Sequence, residues 1–250
     1  PRAVTLTMIY HFCWGVNKTV FRDDKAENRY YNDYCSKKLP ERIMFNMAIK
    51  NVVFDIGKVL VDFAWDKLME ELGFSKECID TLDKGFINNP LWDQMDLGIM
   101  KEEEVMDEAI KRFPQYEKEI RCFYDNLIKT VRPYDYCVKW ISDLKAAGYK
   151  VFLLTNYPVK LFDESVETSF PFYNLIDGKV VSSHINIIKP SEGIYKALFE
   201  KYDLKAEECV FFDDRQRNVD AANRLGMHAF VFEGYEKALK DFEKATAGNQ

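Results

Sequence analysis

Polar residues stand at the ends of several apolar runs in this chain, where the fold could bring their side chains together. Three strand-like runs end in an aspartate, in a threonine followed by an asparagine, and in a pair of aspartates. A lysine followed by proline stands just before a helical pattern, and proline suits the first turn of a helix. These residues are Asp55, Thr155, Asn156, Lys189, Asp213 and Asp214.

The combination of carboxylates, a lysine and a hydroxyl group indicates phosphoryl chemistry. Carboxylates that crowd together do not all stay ionised unless a positive charge compensates them, and a hard divalent cation with oxygen ligands provides that charge. The residues therefore predict a Mg²⁺ site. A lysine and a hydroxyl complement a phosphate group, which brings its own oxygens to the metal.

The elements that must position these residues alternate between helices and strands. Strand-like runs cover residues 49–54, 150–154, 209–212 and 228–232, and a helical pattern precedes each of the last three. Repeated units of this kind predict an α/β fold with a mostly parallel sheet and helices on both faces. Because ligands of such sheets bind at the carboxyl ends of the strands, we expect the polar residues to meet at one edge.

A region of helical periodicity separates the first strand from the alternating part. Its three apolar stripes are interpreted as helix-packing surfaces, and Gly98 and Pro114 as helix boundaries. The stripes contain Leu68, Met69 and Leu72, then Val105, Met106 and Ile110, then Ile120, Phe123, Tyr124 and Leu127.

Four segments, taken in order, resemble the four motifs of the haloacid dehalogenase (HAD) superfamily. They are VVFDIGKVLVDF, VFLLTNY, IKPSEGIY and VFFDDRQRNVDAANRLG, and the resemblance spans roughly residues 49–232. It implies a Rossmann-like core formed by residues 47–63 and 131–250, with a helical cap at residues 64–130. The chain is most similar to sugar-phosphate phosphatases with a DxG first motif. A Mg²⁺-dependent phosphatase of small phosphate monoesters is therefore implied, without nucleic-acid or membrane partners.

The resemblance also implies roles for the site residues. Asp55 becomes the nucleophile that forms an aspartyl-phosphate, and Lys189 neutralises the charge of the transition state. The Thr155 hydroxyl and the Asn156 backbone amide bind a phosphate oxygen. The spacing from Asn218 favours Asp214 as the direct metal ligand, with Asp213 in a supporting position. For Asn218 itself, a water-mediated role and a helix-surface role stay open.

Position 57 departs from the family pattern. Most phosphatases of the superfamily carry there a second aspartate that protonates the leaving oxygen and later activates water, whereas this chain has Gly57. The glycine carbonyl still suits the metal. A sugar 1-phosphate, whose anomeric oxygen leaves readily, would suit the missing acid. Asp62 was weighed as a substitute donor, but a salt-bridged or exposed position is favoured.

Other functions are compatible with parts of the same pattern. The alternative is a catalytically impaired phosphate-binding or regulatory protein on the same scaffold, which the intact Asp55, Lys189 and Asp214 disfavour. A dehalogenase needs no metal, and a mutase needs the missing acid. His184 is interpreted as a loop residue, and Trp65, Trp92 and Trp140 are interpreted as core.

Composition excludes further classes. The net charge of -6 disfavours binding to nucleic acid, and every apolar run is interrupted by charged residues too early for a membrane span of about 20 residues. The six cysteines show no spacing typical of a zinc site or a disulfide framework, which favours free thiols and a cytoplasmic location. Residues 1–46 lack periodicity, and we expect them to be a poorly structured extension of a unit that begins near Met47.

Overall fold

The computed structural model describes residues 49–247, and its central feature is a five-stranded parallel sheet. The strands of the chain are β1 (Asn51–Phe54), β2 (Val61–Phe63), β3 (Val131–Pro133), β4 (Lys150–Thr155), β5 (Gly178–Val181), β6 (Cys209–Asp213) and β7 (His228–Val231). The sheet order is β5-β4-β1-β6-β7, and all its neighbouring strands are parallel. β1 lies in the middle and all four of its residues are buried, as its β-branched and aromatic composition predicts.

The register of the sheet places the ends of neighbouring strands, and the polar residues there, side by side. Phe54 of β1 stands opposite Leu153 of β4 and Phe212 of β6. The backbone N–H of Asp55 continues this pattern and donates to the Phe212 carbonyl at 2.9 Å. The residues that follow these strands therefore reach the same edge of the sheet.

Helices cover both faces of the sheet and fill the segment between β2 and β3. They are α1 (Trp65–Glu71), α2 (Lys76–Leu82), α3 (Pro90–Asp96), α4 (Glu102–Arg112), α5 (Glu117–Asp125), α6 (Cys137–Ala146), α7 (Val159–Thr168), α8 (Ser182–Ile185), α9 (Glu192–Tyr202), α10 (Gln216–Arg224) and α11 (Tyr235–Thr246). α2 continues into a π-helical turn at Asp83–Ile87. Most of these helices bury apolar side chains on one face, which is the arrangement that amphipathic periodicity predicts. The short α8 is an exception, because its buried residues are Ser182 and Ser183.

Side chains of alternate residues along β1 enter two separate cores. Val52 and Phe54 face one core, where the Phe54 ring packs against Trp140 with centroids 4.6 Å apart. Val53 faces the other core together with Phe152 and Tyr195. The sheet is thus buried on both faces, and its polar chemistry is confined to its edges.

The helical insertion, which comprises α1 to α5, is connected to the sheet through a short hairpin-like base. β2 and β3 pair antiparallel at the two points where the chain leaves and re-enters the core. Trp92 of α3 packs against Phe86 inside the insertion, with ring centroids 5.5 Å apart, and against Phe63 of β2, with centroids 5.7 Å apart. The insertion therefore has aromatic packing of its own beside the site edge of the sheet.

The predicted α/β fold and its parallel sheet are confirmed, while several short elements were not predicted. β2, β3, β5, α2, α3 and α8 were missed, because elements of three to seven residues carry weak periodicity. The longer helices α7 and α11, with 10 and 12 residues, were also not predicted. Leu127, assigned to the third apolar stripe, lies in a 3₁₀ turn after α5. The expected extension at residues 1–46 lies outside the described residues. Among residues 49–247 no helix has the length and apolar character that crossing a bilayer requires.

Candidate active site

The strand-end residues lie close together at the carboxyl edge of the sheet. Asp55 directly follows β1, and Asp213 and Asp214 stand at the end of the neighbouring strand β6. Thr155 ends β4, on the other side of β1. Because parallel strands deliver their carboxyl ends to one edge, the topology alone brings these residues from distant parts of the chain into one site.

Lys189 forms a buried ion pair with two of the carboxylates. Its Nζ lies 2.9 Å from Asp55 Oδ1 and 2.7 Å from Asp213 Oδ2, and it donates to the Leu154 carbonyl at 2.8 Å. The three ammonium hydrogens therefore each have a partner. Burial alone would lower the pKa of Lys189, but the carboxylates of Asp213 and Asp55 outweigh burial and hold this pKa above its usual range. Lys189 carries a permanent charge at the centre of the site.

The Asn156 side chain fixes the backbone of Lys189. Its Oδ1 accepts from the Lys189 N–H at 2.8 Å, and its Nδ2 donates to the Lys189 carbonyl at 3.2 Å. The sequence predicts a role only for the backbone amide of Asn156 and does not reveal this side-chain contact. A pairing between two loops of different strands leaves no local pattern that could have revealed it.

The Thr155 hydroxyl is fully buried and has no hydrogen-bond partner among residues 49–247. Buried hydroxyl groups in folded proteins are normally hydrogen-bonded, so a free one beside the site is unusual. Thr155 itself is not among the residues that line the cavity described below, whereas the next residue, Asn156, is. The free hydroxyl is compatible with the phosphate-binding role, which stays a prediction.

The two adjacent aspartates occupy different environments. Asp213 is fully buried and accepts hydrogen bonds from Lys189 and from the Arg215 N–H at 2.9 Å. The Asn218 Nδ2 also donates to both of its carboxylate oxygens, to Oδ1 at 2.8 Å and to Oδ2 at 3.1 Å. Asp214 is half-buried and lines the cavity described below. The structure thus leaves the Asp214 carboxylate open to a ligand and commits Asp213 to protein contacts. The roles of Asp214 as direct metal ligand and of Asp213 as supporting residue stay predictions.

Asn218 holds Asp213 in place and is itself only 2% exposed. The helix-surface alternative for Asn218 is therefore wrong, because its side chain points into the site rather than to solvent. The Tyr195 hydroxyl donates to the Asn218 carbonyl at 2.9 Å and supports this first turn of α10.

The acidic side chains form a group that could hold a metal ion. Asp55, Asp213 and Asp214 each offer a carboxylate oxygen, and these oxygens lie within 4.8 Å of one another. Burial raises the pKa of Asp55 to about 7, with Lys189 opposing the increase and Asp213 and Asp214 adding to it. Burial and Asp213 also raise the pKa of Asp214. The site is short of positive charge despite Lys189, and an all-oxygen donor set of this kind fits a hard divalent cation.

A cavity of about 600 Å³ opens above these residues, between the sheet edge and the helical insertion. Its floor includes Asp55, Gly57, Lys189 and Asp214. Its other walls include residues that the sequence analysis did not identify. Among these are Lys58, Phe63, Asp96, Tyr157, Arg215 and Arg217. A cavity of this size can accommodate a small ligand.

Comparison with known proteins establishes the family. A family model described as haloacid dehalogenase-like hydrolase matches residues 49–226, which is well over half of the chain. The chain belongs to this family. The HAD-like hydrolase is 26% identical over 180 residues to the sesquiterpene phosphatase of Aspergillus oryzae, covering 72% of this chain and 88% of that protein. It is 25% identical over 194 residues to a phosphatase of Mycobacterium tuberculosis, with 74% and 88% covered.

Solved structures share the fold of the HAD-like hydrolase. A HAD family enzyme of Bacteroides thetaiotaomicron, in complex with magnesium and inorganic phosphate, superposes with a TM-score of 0.61 at 20% identity. The match covers 76% of this chain and 98% of that enzyme. The predicted family and the assignment as a hydrolase are thus confirmed.

Gly57 of the HAD-like hydrolase lines the cavity and lacks the carboxyl group expected of most phosphatases in the superfamily. A Cβ atom added at Gly57 would meet nothing within 4 Å. The backbone there has no conformation that requires glycine, because its φ lies outside the left-handed region. Position 57 therefore has room for a side chain to begin, but the residue there is glycine and no acidic group is present.

Asp62 lies outside the cavity wall. Its carboxylate pairs with Lys58 Nζ at 2.6 Å and Lys67 Nζ at 2.9 Å. Partial burial would raise the pKa of Asp62, but the hydrogen bonds from the two lysines outweigh burial and hold the pKa below its usual range. The favoured interpretation of Asp62 as a salt-bridged residue agrees with this geometry.

The remaining residues singled out in the sequence occupy mixed positions. His184 lies in the short helix α8 rather than in a loop, with its ring 5.8 Å from that of Phe162. Trp140 is a core residue, as expected. Trp65 and Trp92 both line the cavity, so their interpretation as core alone was incomplete.

Proposed function

We propose that this HAD-like hydrolase is a Mg²⁺-dependent phosphatase that hydrolyses a small phosphate monoester through an aspartyl-phosphate on Asp55. The observation that carries the proposal is the arrangement of Asp55, Lys189 and Asp213, in which one buried ammonium group pairs with two carboxylates at 2.9 and 2.7 Å. The relatives named as phosphatases and the fold neighbour with bound magnesium and phosphate support it.

The Asp55 carboxylate is prepared for attack on phosphorus by its own contacts. Its Oδ1 forms an ion pair with the Lys189 ammonium group at 2.9 Å and accepts a hydrogen bond from the Ile56 N–H at 2.8 Å. Oδ2 has no hydrogen-bond partner among the described residues and is the oxygen free to attack. Lys189 orients the carboxylate and reduces its repulsion with the phosphate.

The Thr155 hydroxyl, the Asn156 backbone amide and Lys189 would bind the phosphate. The Thr155 hydroxyl has no partner among residues 49–247. Lys189, whose three hydrogens are already bonded to Asp55, Asp213 and the Leu154 carbonyl, would contribute its positive charge. Asp55, Asp214 and the Gly57 carbonyl would hold Mg²⁺, with Asp213 supporting them through Lys189 and Asn218. When bound, Mg²⁺ supplies charge neutralisation at the carboxylates and the phosphate.

We further propose that residues 64–130 act as a cap that selects the leaving group. α3 and the turn before it line the same cavity as Asp55, and the cavity walls combine aromatic rings with charged and amide groups. A sugar 1-phosphate would suit walls of this polarity and needs little help from an acid when its anomeric oxygen leaves. A turnover higher on glycerol phosphate than on hexose 1-phosphates would contradict this choice of substrate.

The test is hydrolysis of p-nitrophenyl phosphate, whose leaving group needs no protonation. We expect turnover with Mg²⁺, its loss with EDTA, and a loss on the order of 10⁴-fold or more for Asp55→Asn. Asp107→Asn, an exposed carboxylate of α4 outside the cavity, is the matched control and should retain full activity.

The alternative of a phosphate-binding or regulatory protein rests on Gly57, the position that lacks its acid. It predicts binding of inorganic phosphate with Mg²⁺ but no turnover on p-nitrophenyl phosphate. Turnover that persists in Asp55→Asn would contradict both proposals.

A further inference from the structure

Because Gly57 has no carboxyl group, another residue must supply the acid–base group, and the geometry of the reaction restricts where that residue can lie. In an in-line displacement the leaving oxygen lies on the side of the phosphorus opposite to the attacking oxygen. With Asp55 at the sheet edge, that side faces the cavity and the helical insertion. The attacking water of the second step enters from the same side. A replacement acid–base residue must therefore be sought on the wall that faces Asp55.

Asp96 meets this requirement. It is the last residue of α3, it is half-buried, and it lines the same cavity as Asp55, Lys189 and Asp214. Its carboxyl group has no hydrogen bond or ion pair with another side chain among residues 49–247. It is therefore free to contact a ligand, in contrast to Asp62, whose two oxygens are occupied by Lys58 and Lys67.

The backbone around Asp96 is firmly held against the core. The Ser182 hydroxyl donates to the Asp96 carbonyl and accepts from the Tyr157 N–H at 3.0 Å. The Asn186 side chain donates to the carbonyl of the next residue, Leu97, at 2.7 Å. Each of these contacts joins the end of α3 to the core elements that border the cavity.

Gly98 allows the close approach that these contacts need. Its φ is +65°, and a Cβ atom there would lie 2.4 Å from the Ser183 carbonyl oxygen. Only glycine combines this backbone conformation with this proximity. Asp96 therefore stands on a backbone that is fixed relative to the catalytic edge, as a group that exchanges protons with a bound substrate must be.

The charges around Asp96 leave both of its protonation states accessible. Burial and the neighbouring Asp93 raise the pKa of Asp96 to about 7, Arg215 and Lys189 oppose the increase, and Asp55 adds to it. Tyr157 also faces it and has its own pKa raised by burial. A group that exchanges a proton in both directions works best with a pKa near the working pH.

We propose that Asp96 is the acid–base residue of the reaction, supplying from the helical insertion the carboxyl group that Gly57 lacks. In the first step Asp55 Oδ2 bonds to phosphorus, the bond to the leaving oxygen breaks, and that oxygen takes the proton of Asp96. In the second step the Asp96 carboxylate takes a proton from water as the water oxygen bonds to phosphorus. The Asp55–phosphorus bond then breaks, which releases phosphate and restores both carboxyl groups. This inference rests on the proposed phosphatase function.

The decisive variant is Asp96→Asn, tested on substrates with poor and good leaving groups. Release of the alcohol from an alkyl phosphate such as glycerol phosphate should fall by about 10² to 10⁴-fold. With p-nitrophenyl phosphate the first turnover should stay within about 10-fold of wild type, because nitrophenolate leaves without a proton. The second step then becomes slow, so rapid mixing should show a burst of nitrophenol approaching one per active site.

Two outcomes would overturn the assignment. One is unchanged turnover of alkyl phosphate in Asp96→Asn, and the other is an equal loss on both substrates without a burst. Gly57→Asp added to Asp96→Asn is the rescue variant, since position 57 has room for the side chain, and it should restore alkyl phosphate turnover at least about 10-fold.

Two further measurements distinguish an effect of Asp96→Asn on folding from an effect on catalysis. If the thermal unfolding midpoint of Asp96→Asn falls, Asp96→Glu replaces it, and this variant should keep most of the turnover because it keeps the carboxyl group. A folded Asp96→Glu as inactive as Asp96→Asn on alkyl phosphates would overturn the proposal. Failure of the phosphatase function itself is recognised separately, since wild type would then show no Mg²⁺-dependent turnover of p-nitrophenyl phosphate.

Discussion

The sheet edge and the helical insertion contribute to the same cavity, but they are built differently. At the sheet edge, Lys189 and Asp213 are fully buried and their hydrogen-bonding groups are matched by protein partners. On the insertion, Asp96 faces the cavity without a side-chain partner among the described residues. Groups that must stay fixed and charged are thus held by the core, while groups that must exchange protons or meet variable substrates come from the insertion.

The same contrast appears in how the two regions are attached. The sheet is joined by continuous parallel pairing. Beyond the β2–β3 base, polar contacts at a few points also join the insertion to the core. The Leu161 N–H donates to Glu102 at 3.2 Å, and Lys160 donates to Tyr124 at 3.0 Å. We expect changes at the sheet edge to cost stability, and changes on the insertion to alter leaving-group selectivity at a smaller cost.

The largest effect should follow Lys189→Met. This change leaves Asp55 and Asp213 buried without their shared cation, and breaking a buried ion pair from one side typically costs about 3–5 kcal/mol. We expect a loss of that size in the free energy of unfolding, measured by urea denaturation, together with loss of hydrolysis. Lys67→Met, at an exposed lysine, is the control. If the free energy of unfolding of Lys189→Met stayed within about 1 kcal/mol of wild type, the buried ion pair would not stabilise the sheet edge, and the contrast with the insertion would be wrong.

A smaller effect should follow Gly98→Ala on the insertion. The added Cβ would approach the Ser183 carbonyl to 2.4 Å in a backbone conformation that alanine adopts only at a cost. Gly73→Ala is the matched control, since Gly73 also has a positive φ, of +79°, but open space around it. We expect Gly98→Ala to lower the free energy of unfolding by about 1–3 kcal/mol more than Gly73→Ala.

Gly98→Ala should also move the Asp96 backbone, so that activity falls more on glycerol phosphate than on p-nitrophenyl phosphate. Equal losses on the two substrates would indicate that the insertion contributes only stability, and the contrast in function between the two regions would then be wrong.

The smallest effect should follow Asp62→Asn, at the base of the insertion. The ion pairs of Asp62 with Lys58 and Lys67 involve exposed lysines, and such pairs are worth about 0–1 kcal/mol. Because these lysines lower the pKa of Asp62, its contribution is fully present above the ordinary value of 3.8 and is lost as the pH falls through the lowered pKa. The stability difference between wild type and variant should therefore be constant near neutral pH and vanish in acid.

Asp62→Asn should leave turnover and the pH–rate profile unchanged. A changed profile on hexose 1-phosphates would instead assign the proton donor to Asp62, and the insertion would lose its proposed role in the chemistry. Asp80→Asn, at another exposed pair on α2, controls for the removal of a surface charge.

Strand ends were the part of the site that could be predicted from residue types and order. Each of Asp55, Thr155 and Asp213 follows a buried apolar run, and parallel strands send such residues to one edge whatever the details of packing. The insertion carried no comparable signal. α3 has only seven residues, and Asp96 within it is one acidic residue among many.

The amino-acid sequence by itself determined the main strands of the core, the family and the set of groups at the sheet edge, because buried strands and their terminal residues are local patterns. Only the tertiary structure decided which carboxylates are open to ligands. Asp213 and Asp214 are adjacent in the chain, yet alternation along the backbone buries one beside Lys189 and turns the other to the cavity. The cavity wall of Asp96, Arg215 and Trp92 likewise depends on how α3 docks on the core, through contacts between residues far apart in sequence.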